Sequence, residues 1–321
     1  MAGFFRALSA AAALCVASAA HAQDVYPSRP VLLTHGFGAG GNSDTVGRII
    51  APALSERLGQ QVVVEPRTGA GGNLASDRAA KAAPDGHTLI ILTGGHAVSG
   101  ALYKQLPFDP VDDFHMISTL IYFPFVISVR KDHPFKSLAD LVAAAKAKPK
   151  SITYSSVGVG STQHLAGELL CAMAGIEMIH VPYRGGVAPV TDLLGGQIDV
   201  MVDTLTVTRP QLDAGTIRGL AVTSPHAWPG LDGIPPAAQT VPGYDVRSWM
   251  GVATAKAVPE PIIARLNREI RHALTVSMVK DRLEQIGNEV RASSPEEMRA
   301  WVAGEVAKWK KVVADAKIPQ Q

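Results

Sequence analysis

Short apolar runs alternate with segments of helical period along most of the chain. The runs VLLTH, QVVVE, HTLIILT, FPFVISV, SITYSS, IHVPY, IDVMVD and IRGLAVT predict strands, and helical stretches lie between them. That alternation predicts an α/β fold built on parallel sheets. The first helix is the most plainly written: Val46, Ile49, Ile50, Ala53, Leu54 and Leu58 share one face. Asn42 or Ser43 can cap its start, Gly59 can end it, and Pro52 inside it predicts a kink. Ser137 with Asp140, and Ser294 with Pro295 and Glu297, mark two further helix starts. From Pro259 onward the chain reads as helices only, with Ile262, Ile263, Leu266, Ile270 and Leu274 as the first stripe and Trp301 and Trp309 both assigned to the core. The segment SPHAWPGLDGIPPAAQTVPGYD predicts a surface excursion that marks a return from one domain to another.

The first 22 residues stand apart from this pattern. Arg6, an alanine-rich apolar segment and Ala20-His21-Ala22 at the cleavage position read as a secretory signal peptide. Cys15 follows Leu14, where a lipoprotein signal carries a small residue, so no lipid anchor is expected. No later run of about 18 apolar residues predicts a membrane span. The address implied is outside the cytoplasm. Cleavage leaves 299 of the 321 residues, enough for one or two domains. Cys171 is then the lone cysteine, which excludes an internal disulfide, and its place on an apolar helix side predicts a buried, inert thiol. The net charge of +2 falls to +1 once Arg6 is removed. Without a basic block, nucleic acid is excluded as a partner. Nothing in the sequence requires more than a monomer.

The chemistry concentrates in the stretch Val31 to Asp44, VLLTHGFGAGGNSD. Gly36, Gly38 and Gly41 satisfy the spacing of a dinucleotide turn, and Glu65 closes the next strand. His35-Gly36 fits the oxyanion loop of an esterase. The alternative reading is therefore an exported α/β enzyme, an NAD-dependent dehydrogenase or an esterase, using the glycine-rich loop at 36–41. An exported chain rarely meets free NAD, and Ser43, Ser99 and Ser161 lack the flanking glycines of a nucleophile elbow. No H-E-x-x-H, C-x-x-C or phosphate-loop motif is present, and the ten histidines show no metal-ligand spacing. No enzyme, cofactor or metal is expected.

The third reading of the loop is a carboxylate cradle. Helix N-termini carry unpaired N–H groups and partial positive charge, and glycine lets an anion approach them. Ser155 to His164, SSVGVGSTQH, repeats the strand–glycine turn–helix arrangement, and Arg67 to Asn73, RTGAGGN, precedes another helical stretch. Such turns gather at the carboxyl edge of parallel sheets, where α/β proteins bind ligands.

At these residues the chain resembles the periplasmic solute receptors of tripartite tricarboxylate transporters, also called the Bug family. The matching stretches include YPSRP, GGNSD, LSERLGQQVVVE, GAGGN, AAPDGHTL, ALYKQLPFDPVDDF, GSTQHLAGELL, HVPYRGG, DLLGGQIDVM, LAVTS and PGY, and they cover essentially the whole mature chain. The resemblance implies a type II-like periplasmic binding protein: two α/β lobes joined by a hinge, with a ligand cleft between them. The expected boundaries are 23–125 plus 248–321 for lobe 1 and 126–247 for lobe 2. It also implies capture of a small carboxylate, a di- or tricarboxylate or related organic acid, and membrane components of the transporter as partners. The first carboxylate loop corresponds to Phe37, Gly38, Ala39, Gly40, Gly41, Asn42 and Ser43, and the opposite loop to Ser156 through His164. Asp203 is similar to the family's selectivity residue. This chain departs from the family's PFPPGG, because Gly36, Gly38 and Ala39 stand where prolines are usual, which frees the loop and returns N–H donors. Asn42 stands where glycine is common, and Val202 and Thr204 flank Asp203 where Phe and Asn are often seen.

The residues themselves allow finer expectations. One ligand carboxylate is placed at Gly40, Gly41, Asn42 and Ser43. Gly158, Val159, Gly160, Ser161 and Thr162 are expected from the other lobe, although Ser161 and Thr162 are equally plain N-caps. Gly72 and Asn73, Thr93 and His96 (with Ser99) are expected near the ligand edge of the sheet, as is Ser156. His164 reads as a site or a packing histidine, and Arg184 as a carboxylate clamp or a solvated surface group. Asp203 reads as an acceptor for a ligand amine, amide, hydroxyl or water, or as a helix N-cap.

Overall fold

The computed structural model describes residues 26–321. The expected signal peptide lies outside them. Strands β1 (Val31–His35), β2 (Val62–Pro66) and β3 (Thr88–Thr93) alternate with helices α1 (Asn42–Leu58), α2 (Asn73–Ala80) and α3 (Gly94–Leu102). A long strand β4 (Phe114–Arg130) follows, then α4 (Leu138–Ala147), β5 (Thr153–Ser156), α5 (Thr162–Ala174), β6 (Ile179–Pro182), α6 (Ala188–Leu194), β7 (Val200–Thr204), α7 (Leu205–Asp213) and β8 (Ile217–Val222). The chain closes with β9 (Arg247–Ala255), α8 (Glu260–Ala273), α9 (Ser277–Gln285), β10 (Glu289–Val290) and α10 (Pro295–Asp315).

The strand order is β2-β1-β3-β9-β4-β7-β5-β6, with β8 and β10 also pairing β4. Two parallel triplets, β2-β1-β3 and β7-β5-β6, sit at the two ends. The parallel expectation holds for these triplets and fails in the middle. There β9 runs antiparallel to β3 and β4, and β4 runs antiparallel to β7 and β8. The physical reason is that β4 belongs to both halves. Its residues Phe114 to Pro124 pair β9, and from Phe125 to Arg130 it pairs β7 and β8. Only its second half, FPFVISV, reads as a continuous apolar run; the first half and β9 are also mostly buried on two faces, but His115, Ser118 and Thr119 interrupt the one and Ser248, Gly251 and Thr254 the other.

Local signals explain most helix ends. Gly59 ends α1 in the left-handed region, at φ 74°. The N-cap of α1 is Gly41, not Asn42 or Ser43, because both fall inside the first turn. Pro52 is accommodated within α1, which continues through it. Ser137 and Ser294 form full capping boxes with Asp140 and Glu297. The helical tail holds one short strand, β10, which the sequence did not signal. Trp309 is fully buried, but Trp301 is half-exposed and meets Tyr122 edge-on at 5.1 Å. Eight residues of helix turn about 80° past two full turns, enough to carry Trp301 off the core face.

One extended core runs through both halves, from Val31 and Leu89 across β4 to Tyr154, Leu165 and Tyr244. Two smaller clusters, one on Leu193, Met201 and Ile217 and one on Val126, Leu205 and Val222, sit beside it in the second half. The two halves meet along the strand-to-helix turns.

Candidate functional site

Several of these turns open onto one cavity, about 420 Å³ of space between atoms with its mouth included. The first half supplies Phe37, Gly41, Asn42, Ser43, Thr93, Phe123, Ser248 and Met250. The second half supplies Phe125, Val157, Thr162, Gln163, Gly185, Gly186, Asp203, Thr204 and Val207. The starts of α1, α5 and α7 all face this space, and each brings unpaired main-chain N–H groups. No Lys or Arg side chain is among these walls, so the positive potential comes from helix ends alone. Phe37, Phe123, Phe125, Val157, Val207 and Met250 give the remaining wall an apolar character.

The first turn is braced from behind. Asp44 accepts from the Gly40 amide at 3.0 Å and pairs with Arg48. Burial pushes its carboxyl up, but Arg48 and the Gly40 amide more than offset this and hold it below the usual carboxylate range. His35 packs beside Asp44, and burial lowers its pKa despite that neighbour.

The halves touch at several points around the cavity. The Gly38 amide donates to the Arg184 carbonyl at 2.9 Å, and Gly38 and Gly185 form a parallel bridge. Thr206 Oγ1 donates to Asn42 Oδ1 at 2.7 Å. Tyr103 donates its hydroxyl to the Val159 carbonyl at 3.3 Å, Ser99 reaches the Gly160 carbonyl, and the Thr162 and Ser248 hydroxyls lie 3.3 Å apart.

Of the residues expected from sequence, Phe37, Gly41, Asn42, Ser43, Thr93, Thr162 and Asp203 are brought together around the cavity. Gly72, Asn73 and His96 line a smaller adjoining space that shares Phe37 and Thr93. His96 is fixed there by the Pro110 carbonyl at 2.8 Å and the Ser76 hydroxyl at 3.1 Å, and burial lowers its pKa to about 4. Gly38, Ala39 and Gly40 lie on the seam rather than in the cavity wall.

The second glycine turn sits beside the cavity. Ser156 bonds Gly158 and His180, Ser161 caps α5 by accepting from the His164 amide, and Val159 and Gly160 present carbonyls to α3 and Tyr103. The His164 ring stacks on His180 at 4.2 Å. Burial lowers both imidazoles to about 4. The Arg184 side chain is exposed, and that residue meets the first half through its carbonyl.

Asp203 is almost fully buried, and one of its oxygens accepts from the Thr204 amide at 2.7 Å. Burial pushes its pKa up to about 7. A carboxyl so placed is half-protonated near neutrality and can donate as well as accept.

Phe123, Phe125, Ser248 and Met250 reach the cavity from the two crossing strands and were not expected there, although FPFVISV itself reads as a strand. Gln163 follows Thr162 in a helix start already singled out, and Gly185 and Gly186 follow Arg184, so adjacency was the available signal for them. Among the described residues no group of three or more His, Cys, Asp or Glu could hold a metal.

Comparison with known proteins agrees with this fold. The model of the tripartite tricarboxylate transporter family receptor matches residues 46–318. The chain is 36% identical over 317 residues to a UPF0065 protein in the tcbD-tcbE intergenic region of Pseudomonas sp. strain P51, covering 98% of this chain and 94% of that one. The solved structure of R. palustris Rpa4515 with adipate is similar at TM-score 0.88 and 37% identity, over 92% of this chain and all of the other. MatC (Rpa3494) from Rhodopseudomonas palustris with bound malate is similar at TM-score 0.86 and 32% identity, over 90% of this chain and all of the other. The matched family is one of receptors rather than enzymes, and the chain shares its α/β fold with the solved periplasmic binding protein BugD, at TM-score 0.88 and 32% identity over 92% of this chain and all of the other. The chain belongs to the tripartite tricarboxylate transporter receptor family.

Proposed function

We propose that this protein is a periplasmic receptor that captures a small organic acid between two lobes and hands it to the membrane components of a tripartite tricarboxylate transporter. The observation that carries this reading is the convergence of three helix N-termini, from both halves, on one cavity without a cationic side chain. Relatives with adipate and malate support a carboxylate as the class. The apolar walls favour an acid with an aliphatic or aromatic spine over one polar throughout.

The lobe boundaries we propose are 23–125 with 248–321, and 126–247. They are supported by the switch of β4 partners between Pro124 and Phe125 and by the start of β9 at Arg247. One carboxylate is taken at the Gly41–Ser43 turn and the other end of the ligand at Thr162, Gln163 and Asp203. Asp203 in its neutral form donates to a ligand oxygen, which turns a repulsive neighbour into a binding one.

The test is a titration of the purified mature chain with adipate, malate, citrate, benzoate and glutamate by calorimetry, alongside NAD and ester substrates. Saturable binding of an acid without turnover supports the receptor. Hydrolysis lost on replacing a serine, or binding of NAD but of no acid, sinks it.

A further inference from the structure

Asn42 is buried at the first position of α1 and lines the cavity. Its two carboxamide atoms have different fates. Oδ1 accepts from Thr206 in α7, which belongs to the other half. Nδ2 is buried and has no hydrogen-bond partner among the described residues. An amide donor left unsatisfied away from water is unfavourable, and few native structures tolerate one without a reason.

The two halves account for it. In a cleft with the halves parted, Thr206 would be withdrawn and water would reach both atoms of the carboxamide. Closing the empty cleft strips that water, satisfies Oδ1 and leaves Nδ2 without an acceptor. Closing on a ligand oxygen satisfies both.

We infer that Asn42 is a specificity-determining residue that ties ligand recognition to closure: its Nδ2 donates to a carboxylate oxygen of the bound acid while its Oδ1 holds Thr206 of the opposite lobe. This rests on the receptor reading above and adds a device to it. The empty closed form is penalised, the filled one is not, and a ligand acts on the equilibrium through that difference. A ligand presenting an ammonium group at this position is rejected, because it meets a donor.

The experiment measures affinity and dissociation rate for adipate, malate and benzoate in the mature chain and in Asn42→Ala, Asn42→Asp, Thr206→Val and the double variant Asn42→Ala/Thr206→Val. Small-angle scattering of each free protein reports closure. Asn42→Ala weakens the best-bound acid about 10- to 100-fold, as expected for losing a hydrogen bond to a charged group. Asn42→Asp keeps the acceptor for Thr206, puts negative charge toward the ligand and weakens binding further. Thr206→Val weakens it several-fold through faster dissociation. The double variant binds no worse than Asn42→Ala by more than about twofold, because both changes break one linkage. Free Thr206→Val scatters as a more open particle than the free wild type, because the bond that holds Asn42 Oδ1 across the cleft is gone. Wild-type binding with Asn42→Ala affinity within twofold overturns the inference and leaves the receptor reading intact. Fully additive losses in the double variant also overturn it. If the wild type binds none of the three acids, the receptor reading falls and takes this inference with it.

Discussion

The amide of Gly38 and the carbonyl of Arg184 meet at 2.9 Å across the cleft, so the two halves are joined there main chain to main chain. A methyl group on Gly38 would lie 3.1 Å from the Gly185 carbonyl carbon and oxygen and 3.2 Å from the Gly186 nitrogen. Those atoms belong to the other half, so parting the halves would relieve position 38 of the contact. Gly38→Ala is therefore expected to raise the dissociation constant for the bound acid about tenfold, through a faster off-rate, and to leave the melting temperature of the free protein unchanged. Stopped-flow and calorimetric titrations check the first part, and a thermal melt without ligand checks the second. Unchanged affinity would show that the contact plays no part in closure.

Asp203 sets a pH dependence. Its folded pKa is raised to about 7, so its contribution to stability is fully present below the unfolded value near 4 and is lost as pH rises through about 7. Asp203→Asn should thus be more stable than the wild type at about pH 8, and the gap should close toward about pH 4. In parallel, wild-type affinity for a carboxylate should fall from about pH 6 to about pH 8, while Asp203→Asn stays flat. Chemical denaturation and calorimetry over this range provide the readout, and a flat wild-type profile would contradict the assignment.

The histidines act in the opposite sense. His96, His164 and His180 are each lowered to about 4 by burial, below an unfolded value of about 6.5. The unfolded chain then binds more protons between those values, so stability present above about pH 6.5 is lost as pH falls toward about 4. The carboxylate beside the His164–His180 pair is that of Glu168, with an oxygen 3.9 Å from His164, and it does not offset the burial. Urea melts at about pH 7.5 and about pH 4.5 should differ by several kcal/mol. His164→Asn should reduce that difference, and an equal slope in the variant would refute this source.

Gly167 tests the packing of α5. A Cβ there would lie 2.1 Å from Cε2 of Tyr154, whose ring is fully buried and whose hydroxyl bonds Glu168 at 2.5 Å. Neither partner can retreat, so Gly167→Ala should destabilise by about 1–3 kcal/mol or more despite alanine's better helix propensity. Urea unfolding measures this directly, and a neutral or stabilising result would show that α5 shifts freely on its sheet.

The parts of the fold that were legible in sequence are those with local causes. Periodicity exposed α1, capping boxes marked α4 and α10, and glycine turns before α1 and α5 pointed at two walls of the cavity. β9 and the first half of β4 were not legible, because strands buried on both faces carry no alternation and polar residues such as Ser118, Thr119, Ser248 and Thr254 interrupt the apolar run that betrays FPFVISV. Ser248 and Met250 were hidden for the same reason, and they stand more than 200 residues from Phe37 in the chain. Whether a polar residue at a turn faces ligand or backbone depends on the partner that packs there. His164 and Ser161 illustrate this, since one stacks on His180 and the other caps its own helix.

The shared strand β4 has a bearing on recombination. Grafting the middle segment of one relative into another, to exchange specificity, would splice the chain at the Pro124–Phe125 junction of β4 and again near the start of β9, inside two continuous ladders. Chimeras cut there must match side chains on four neighbouring strands at once. Junctions moved out to the Asp109–Asp113 turn and the Lys256–Pro259 turn keep β4 and β9 whole and from one parent. Such hybrids should express as folded protein where the internal splices aggregate.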